Sequence, residues 1–218
     1  MLLDALALTG ASRPRVCLVL TAAGDDASYY ALSYAAFNAA GCDVTELKLF
    51  PQPSADPEER LLQSDLVWVG GGSVANLLSL WRLHGVDTAM RHAWEEGVIL
   101  AGVSAGSLCW HVGGPTDSFG PLLRPVSNGL GLLPYANGVH FNSEEQRRPL
   151  LHDVLGTDGL PDVAYATDDH VGVWYEGTEA VRVVGDTAVS SIDGPGAYVI
   201  TRTNDVVDER RVGVGEYF

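Results

Sequence analysis

Basic residues are scarce in this chain: thirteen Lys and Arg stand against twenty-eight Asp and Glu, a formal net charge of -15 over 218 residues. Such a surface repels phosphate backbones and anionic lipid headgroups, which argues against nucleic acid and membrane surfaces as partners. Cysteine is also sparse. Cys17, Cys42 and Cys109 are an odd set without C-x-x-C spacing, and two lie in or beside apolar runs; this fits a reducing, cytoplasmic setting better than a disulfide framework. No apolar run reaches the ~18 residues of a membrane span. The opening "MLLDALALTGASRPR" has no basic stretch ahead of its apolar residues and carries Asp4 among them, unlike a secretory signal. No histidines stand at H-x-x-x-H spacing and no Cys/His cluster occurs, so no metal is expected. Neither G-x-G-x-x-G nor a phosphate-loop lysine is present, and no cofactor is expected either.

What is abundant is apolar sequence, 46% of the chain, enough for one domain spanning 1–218 with a substantial core. "RVCLVL" reads as a strand, and "ASYYALSYAAFNAAG" as a helix stopped by Gly41. "DVTELKLF" alternates like a strand, and "PQPSADPEERLLQS" is a Pro-rich loop leading to a short helix. "DLVWVGGG" is a third strand, "SVANLLSLWRLHG" and "VDTAMRHAWEEG" are helices, and "VILAGVS" is a fourth strand. Apolar strands alternating with helices predict a mostly parallel, doubly wound α/β sheet covered on both faces. From about Asp162 onward, "DVAYATDDHVGVWYEG", "AVRVVGD" and "TAVSSIDGPGAYVITR" predict successive strands, a C-terminal β-meander.

The chemistry concentrates in "Gly102-Val103-Ser104-Ala105-Gly106". A serine where a strand runs into a helix is exposed on a crowded turn that requires small neighbours, the G-x-S-x-G nucleophile elbow. The same pentapeptide also suits an ordinary glycine-rich turn or an anion-binding loop. Ser107 falls inside the new helix, where serines more often bond locally. A tetrahedral oxyanion needs backbone donors, and the amides of Ala105 and of Gly72, in "Gly70-Gly71-Gly72", are the natural pair; three glycines also simply permit a tight turn.

A serine needs a base and a group to orient it. His84, His92 and His152 lie on or near predicted helices, and His111 is expected on the helix that follows Ser104, pointing away. His140 ends a short apolar run in "NGVHFNSEEQRR", before a helix expected to start near Ser143, and is the leading base. His170 is the alternative. For the acid, Asp168 and Asp169 close a strand, though both also suit a plain turn, and Asp117 is a third candidate.

In that order, "VWVGGGS…LL", "GVSAGS", "NGVHFN…EEQRR" and the strand-end "DD" resemble the peptidase E family of serine exopeptidases, which includes cyanophycinases. The likeness runs from about Leu66 to Trp174. It implies a three-layer, class I glutamine-amidotransferase-like sandwich and a Ser-His-Asp/Glu triad. Carried across residue by residue, Ser104 matches the nucleophile, His140 the base and Asp169 the acid, where the family usually has Glu. Gly72 and Ala105 match the oxyanion donors, and Asp117 matches an acidic residue of the family loop. Ser73 stands where the family commonly has Asn. In the family's aspartyl dipeptidases an Arg stands two positions before the Gln of "SEEQRR", whereas this chain has Glu144, which reverses the charge offered to an aspartyl side chain.

The expectation is therefore a dipeptidase-like serine exopeptidase acting on short peptides, without strict Asp preference. Arg124, Arg147 or Arg148 would anchor a peptide C-terminus in a carboxypeptidase variant of this reading, and Glu144 would meet an amine. An esterase or amidase using the same elbow, and a catalytically silent ligand-binding module, are the competing readings. A symmetric homodimer is the default assembly for such chains.

Overall fold

The computed structural model of the chain describes residues 1–157, 159–185 and 194–218. The expected strand residues 187–193 lie outside that set. Packing divides the chain into two compact units, Leu2–Ser107 and Leu108–Phe218, the latter with Met1.

The first unit is built on four parallel strands, β1 (Arg15–Val19), β2 (Asp43–Glu46), β3 (Leu66–Val69) and β4 (Ile99–Gly102), in the order β2-β1-β3-β4. Val16 to Val19 of β1 and Leu66, Val67 and Val69 of β3 are all buried, as expected when both sheet faces are covered. On one face Val16, Leu18, Leu20 and Leu66 pack with Leu6 of α1 (Leu2–Leu8) and with Tyr30 and Phe37 of α2 (Ala27–Ala39). Strand alternation turns Cys17, Val19, Val67 and Val69 to the other face. There α3 (Pro57–Leu62), α4 (Val74–His84) and α5 (Val86–Glu95) supply the buried Leu61, Leu77, Trp81 and Met90. Each such side chain withdrawn from water contributes about 1.5–3 kcal/mol before ordering costs.

Local signals set the helix ends. Asp26 caps α2 by accepting the Tyr29 N–H, Asp56 caps α3 ahead of Pro57, and Ser73 caps α4 by accepting the Asn76 N–H. The strand order reverses between β1 and β3, so the loops leaving β1, β3 and β4 open on one sheet edge, the usual ligand side of a doubly wound sheet.

The second unit holds β7 (Ala136–Gly138) and β8 (Val163–Thr167), paired in parallel, with β11 (Gly196–Thr203) and β12 (Val206–Gly213) added antiparallel in the order β12-β11-β8-β7. Two hairpins accompany them, β5 (Gly114–Thr116) with β6 (Arg124–Val126), and β9 (Val171–Glu176) with β10 (Glu179–Gly185). Ala136, Ala164, Ala166 and Ile200 of the larger sheet bury against Phe141, Leu160 and the Leu151 and Val154 face of α7 (Arg147–Val154). The chain is thus an α/β protein with a mostly parallel sheet flanked by helices and with antiparallel strands toward its C-terminus.

Two local expectations are corrected. The helix expected near Ser143 begins at Arg147, because the amides of Ser143 and Glu144 both close on the His140 carbonyl and fold residues 141–144 into a turn. The helix after Ser104, α6 (Ala105–Leu108), is a single turn, and His111 lies beyond it. His111 is buried there, its ring edge-on to Tyr175 at 5.9 Å between centroids. Among the described residues no helix is long and apolar enough to cross a membrane.

Candidate active site

The serine turn belongs to the first unit. β4 delivers Val103, whose N–H donates to the Val69 carbonyl at 3.1 Å, and the chain then reverses so that the Gly106 N–H donates back to the Val103 carbonyl at 2.9 Å. Ser104, between them, has φ 55°, a left-handed conformation that costs a non-glycine residue roughly 1–2 kcal/mol. The flanking glycines are there for space. A Cβ on Gly102 would lie 2.2 Å from the Gly106 carbonyl oxygen, and one on Gly106 would lie 2.3 Å from that of Val69. The surrounding backbone therefore over-determines a strained serine, the condition under which strain persists at functional positions.

The glycine loop after β3 lies against this turn. A Cβ on Gly71 would stand 3.2 Å from the Ser104 Cβ and 3.8 Å from its Oγ. Gly72 has φ 136°, and its Cα faces the Ala22 carbonyl so closely that a Cβ would fall 2.3 Å from that oxygen. The next amide, of Ser73, donates to the same carbonyl at 2.9 Å. The N–H groups of Gly72 and Ala105 have no acceptor among the described residues. Ser73 itself spends its hydroxyl on capping α4.

The histidine belongs to the second unit. β7 and β8 run parallel, so their carboxyl ends emerge side by side, tied by the Phe141 N–H to the Thr167 carbonyl at 3.1 Å. His140 follows one strand and Asp169 the other, and Nδ1 of His140 lies 2.6 Å from Oδ1 of Asp169. A carboxylate can only accept, so Nδ1 is the donor, and in the neutral form of the ring the lone pair lies on Nε2. Partial burial pushes the Asp169 pKa up, but hydrogen bonds from Ser143 and His140, with the charges of His140 and His170, outweigh it and hold the carboxyl below its ordinary value. The Asp169 N–H donates to Asn142 Oδ1 at 3.0 Å. Sequence reasoning passed over Asn142 and Ser143; the signal was a polar pair directly after His140 in "HFNS".

Asp168 is placed differently. It is buried, and its Oδ2 accepts the Gly196 N–H at 2.9 Å and the Tyr198 hydroxyl at 3.1 Å, fastening β8 to β11. His170 is exposed, in a left-handed turn residue with φ 67°. The basic candidates also separate. Arg147 is buried at 3% exposure, donating from Nε to Glu144 at 2.7 Å and from Nη1 to the Pro115 carbonyl at 2.6 Å, with Asp117 3.7 Å away. Arg148 pairs with Glu209 at 2.7 Å and lies over the rings of Phe141 and Tyr198. Arg124 is exposed on β6. No competing thiol nucleophile presents itself: all three cysteines are buried, and burial pushes the Cys17 thiol up to about 12 and the Cys109 thiol well above its ordinary value. Among the described residues no three His, Cys, Asp or Glu side chains converge as a metal site.

With this geometry in place the relationships of the chain are informative. Residues 3–183 match the model of peptidase family S51, and the chain belongs to that family. It is 36% identical over 197 residues to the uncharacterised peptidase YgaJ of Bacillus subtilis (strain 168), covering 90% of this chain and 82% of that one. It is 29% identical over 184 residues to a peptidase E of Streptomyces coelicolor, covering 80% of this chain and 70% of that one. Among solved structures it shares the fold of a peptidase from an acI-B1 Actinobacterium, with a TM-score of 0.68 at 17% identity over 99% of this chain and 88% of the other.

Proposed function

We propose that the chain is a serine-type exopeptidase that cleaves short peptides through an acyl-enzyme on Ser104. His140 takes the Ser104 proton on Nε2 as Oγ attacks the scissile carbonyl, and Asp169 holds the ring in the required tautomer. The oxyanion that forms is met by the N–H groups of Gly72 and Ala105. Collapse expels the amine, protonated by His140, and water then attacks the acyl-serine with the same histidine as base. The observation that carries the reading is Ser104 itself, a strained serine locked between two glycines that admit no side chain, with two unspent amides beside it.

The neighbourhood of His140 bears on substrate choice. Glu144 stands one turn past the base, and Arg147 is occupied by Glu144 and the Pro115 carbonyl. A substrate with an acidic side chain would meet the Glu144 carboxylate here, with Arg147 already engaged, so the proposed specificity is for peptides without that acidic residue. Three buried free cysteines agree with a reducing, cytoplasmic location.

The test is Ser104→Ala assayed on dipeptides and longer peptides, with products identified by mass spectrometry. Loss of turnover, and loss of covalent labelling by a serine-reactive phosphonate, is the expected result. Turnover unchanged in Ser104→Ala would remove the proposal, and the digest also reports which terminus is attacked.

A further inference from the structure

We infer that Tyr29 is a positioning residue for the oxyanion hole, through its hydroxyl on the amide that precedes Gly72. This rests on the reading of Gly72 as an oxyanion donor.

An amide is useful to a transition state only if its direction is fixed beforehand. The Gly70 to Gly72 segment has no side chains with which to fix itself, and glycine is the residue with the most backbone freedom to lose. Its restraints must come from outside. At its start, the Gly70 N–H donates to the Val19 carbonyl at 3.1 Å, which continues the sheet. At its end, the Ser73 N–H donates to the Ala22 carbonyl at 2.9 Å. Between these anchors one amide makes a fixed bond to a side chain: the Gly71 N–H donates to the Tyr29 hydroxyl at 3.3 Å.

The tyrosine is itself held. Its backbone N–H is taken by the Asp26 cap of α2 at 2.8 Å. Its ring edge lies so near Gly70 that a Cβ there would be 3.0 Å from Cε1 and 3.1 Å from the hydroxyl oxygen, with Leu20 still closer at 2.6 Å. The hydroxyl thus sets the plane of the 70–71 peptide, so the rotations left before the Gly72 N–H are those about Gly71, and beyond that amide the chain is bounded again where Gly72, with φ 136°, lies against the Ala22 carbonyl. Removing the hydroxyl frees the Gly71 N–H and lets the plane rock, which moves the Gly72 N–H off the position an oxyanion would occupy while leaving ground-state binding surfaces intact.

Deleting an oxyanion donor outright costs about 10²–10³ in kcat; a donor still present but poorly aimed is expected to cost less, about tenfold in kcat with KM within about twofold. The experiment uses the full chain with Tyr29→Phe, which keeps the ring against Leu20 and Gly70. Expected are the kcat loss, an equal loss in the rate at which a phosphonate labels Ser104, and little change in thermal midpoint. Tyr30→Phe is the comparison, because that buried neighbour on α2 bonds the Leu20 N–H and Asp25 and touches no glycine amide; it is expected to lower the thermal midpoint and leave kcat near wild type. Unchanged kcat and labelling in Tyr29→Phe would overturn the inference, as would equal kcat losses in both variants, which would mark a general effect of stability. Ser104→Ala separates the two levels: if it still turns over, the peptidase reading has failed, whereas an inert Ser104→Ala beside a normal Tyr29→Phe refutes only the role of Tyr29.

Discussion

Nδ1 of His140 and Oδ1 of Asp169 are 2.6 Å apart although 29 residues separate them in the chain. Parallel pairing of β7 with β8 makes this meeting possible, since each residue leaves the carboxyl end of one of two adjacent strands. If the pair serves as proposed, Asp169→Asn keeps the shape but places an amide donor where an acceptor is needed, and the ring loses its fixed tautomer. A drop in kcat of about 10²–10⁴ with circular dichroism unchanged is expected. Steady-state kinetics on a cleaved peptide decides it, and a variant within a few-fold of wild type would take Asp169 out of the machinery.

The same carboxyl supplies a prediction about acid. Its folded pKa is depressed by its partners, so the stability it contributes is fully present above the unfolded Asp value of about 3.9 and is lost as pH falls through the lower folded value. Thermal melts of wild type and Asp169→Asn should therefore differ most near neutrality, hold that difference to about pH 4, and converge below it. A gap that closes between pH 7 and 5 would assign the stabilisation to another group. Because Asp169 is partly exposed, the gap should be small and reduced by salt.

Gly106→Ala tests the crowding around Ser104. The added Cβ would sit 2.3 Å from the Val69 carbonyl, a backbone atom in a sheet strand that cannot swing aside. The strand end or the serine turn must shift. A loss of roughly 2–4 kcal/mol in denaturant unfolding is expected, together with phosphonate labelling at Ser104 reduced beyond what the unfolded fraction explains. Normal stability would mean that the turn is not as tightly determined as its geometry indicates.

Much of this was legible in the sequence, and for definite reasons. The buried strands are apolar runs, the helices end at αL glycines such as Gly85, and Gly-Val-Ser-Ala-Gly states its own turn. Other features depend on non-local pairing, which periodicity does not encode. Asp168 and Asp169 are chemically identical, and they are told apart by the strand pleat, which turns the first to Gly196 and Tyr198 and leaves the second for His140. The start of α7 was displaced because the left-handed His140, with φ 53°, collects the next amides into a turn. Tyr29 was invisible because its partner is a backbone amide 42 residues away.

Arg147 and Glu144 give the last prediction, in which a structural and a recognition role separate. Arg147→Met removes a buried guanidinium that bonds the Pro115 carbonyl and Glu144, and so unties the β5–β6 hairpin from α7. Glu144 is partly exposed and regains water, so the loss should be about 2 kcal/mol, below that for a fully buried pair. Glu144→Gln is the opposite case. It leaves Arg147 buried and bonded to Pro115, and it makes the ground next to His140 more positive by one charge. With specificity set by that charge, the kcat/KM ratio of an aspartyl to a neutral dipeptide should rise about three- to tenfold, because a unit charge a few ångströms away near a protein surface is worth on the order of 1 kcal/mol after screening. Paired assays on two dipeptides that differ only in that side chain measure the ratio directly. An unchanged ratio would show that substrate side chains do not face Glu144, and the proposed lack of acidic preference would lose its basis.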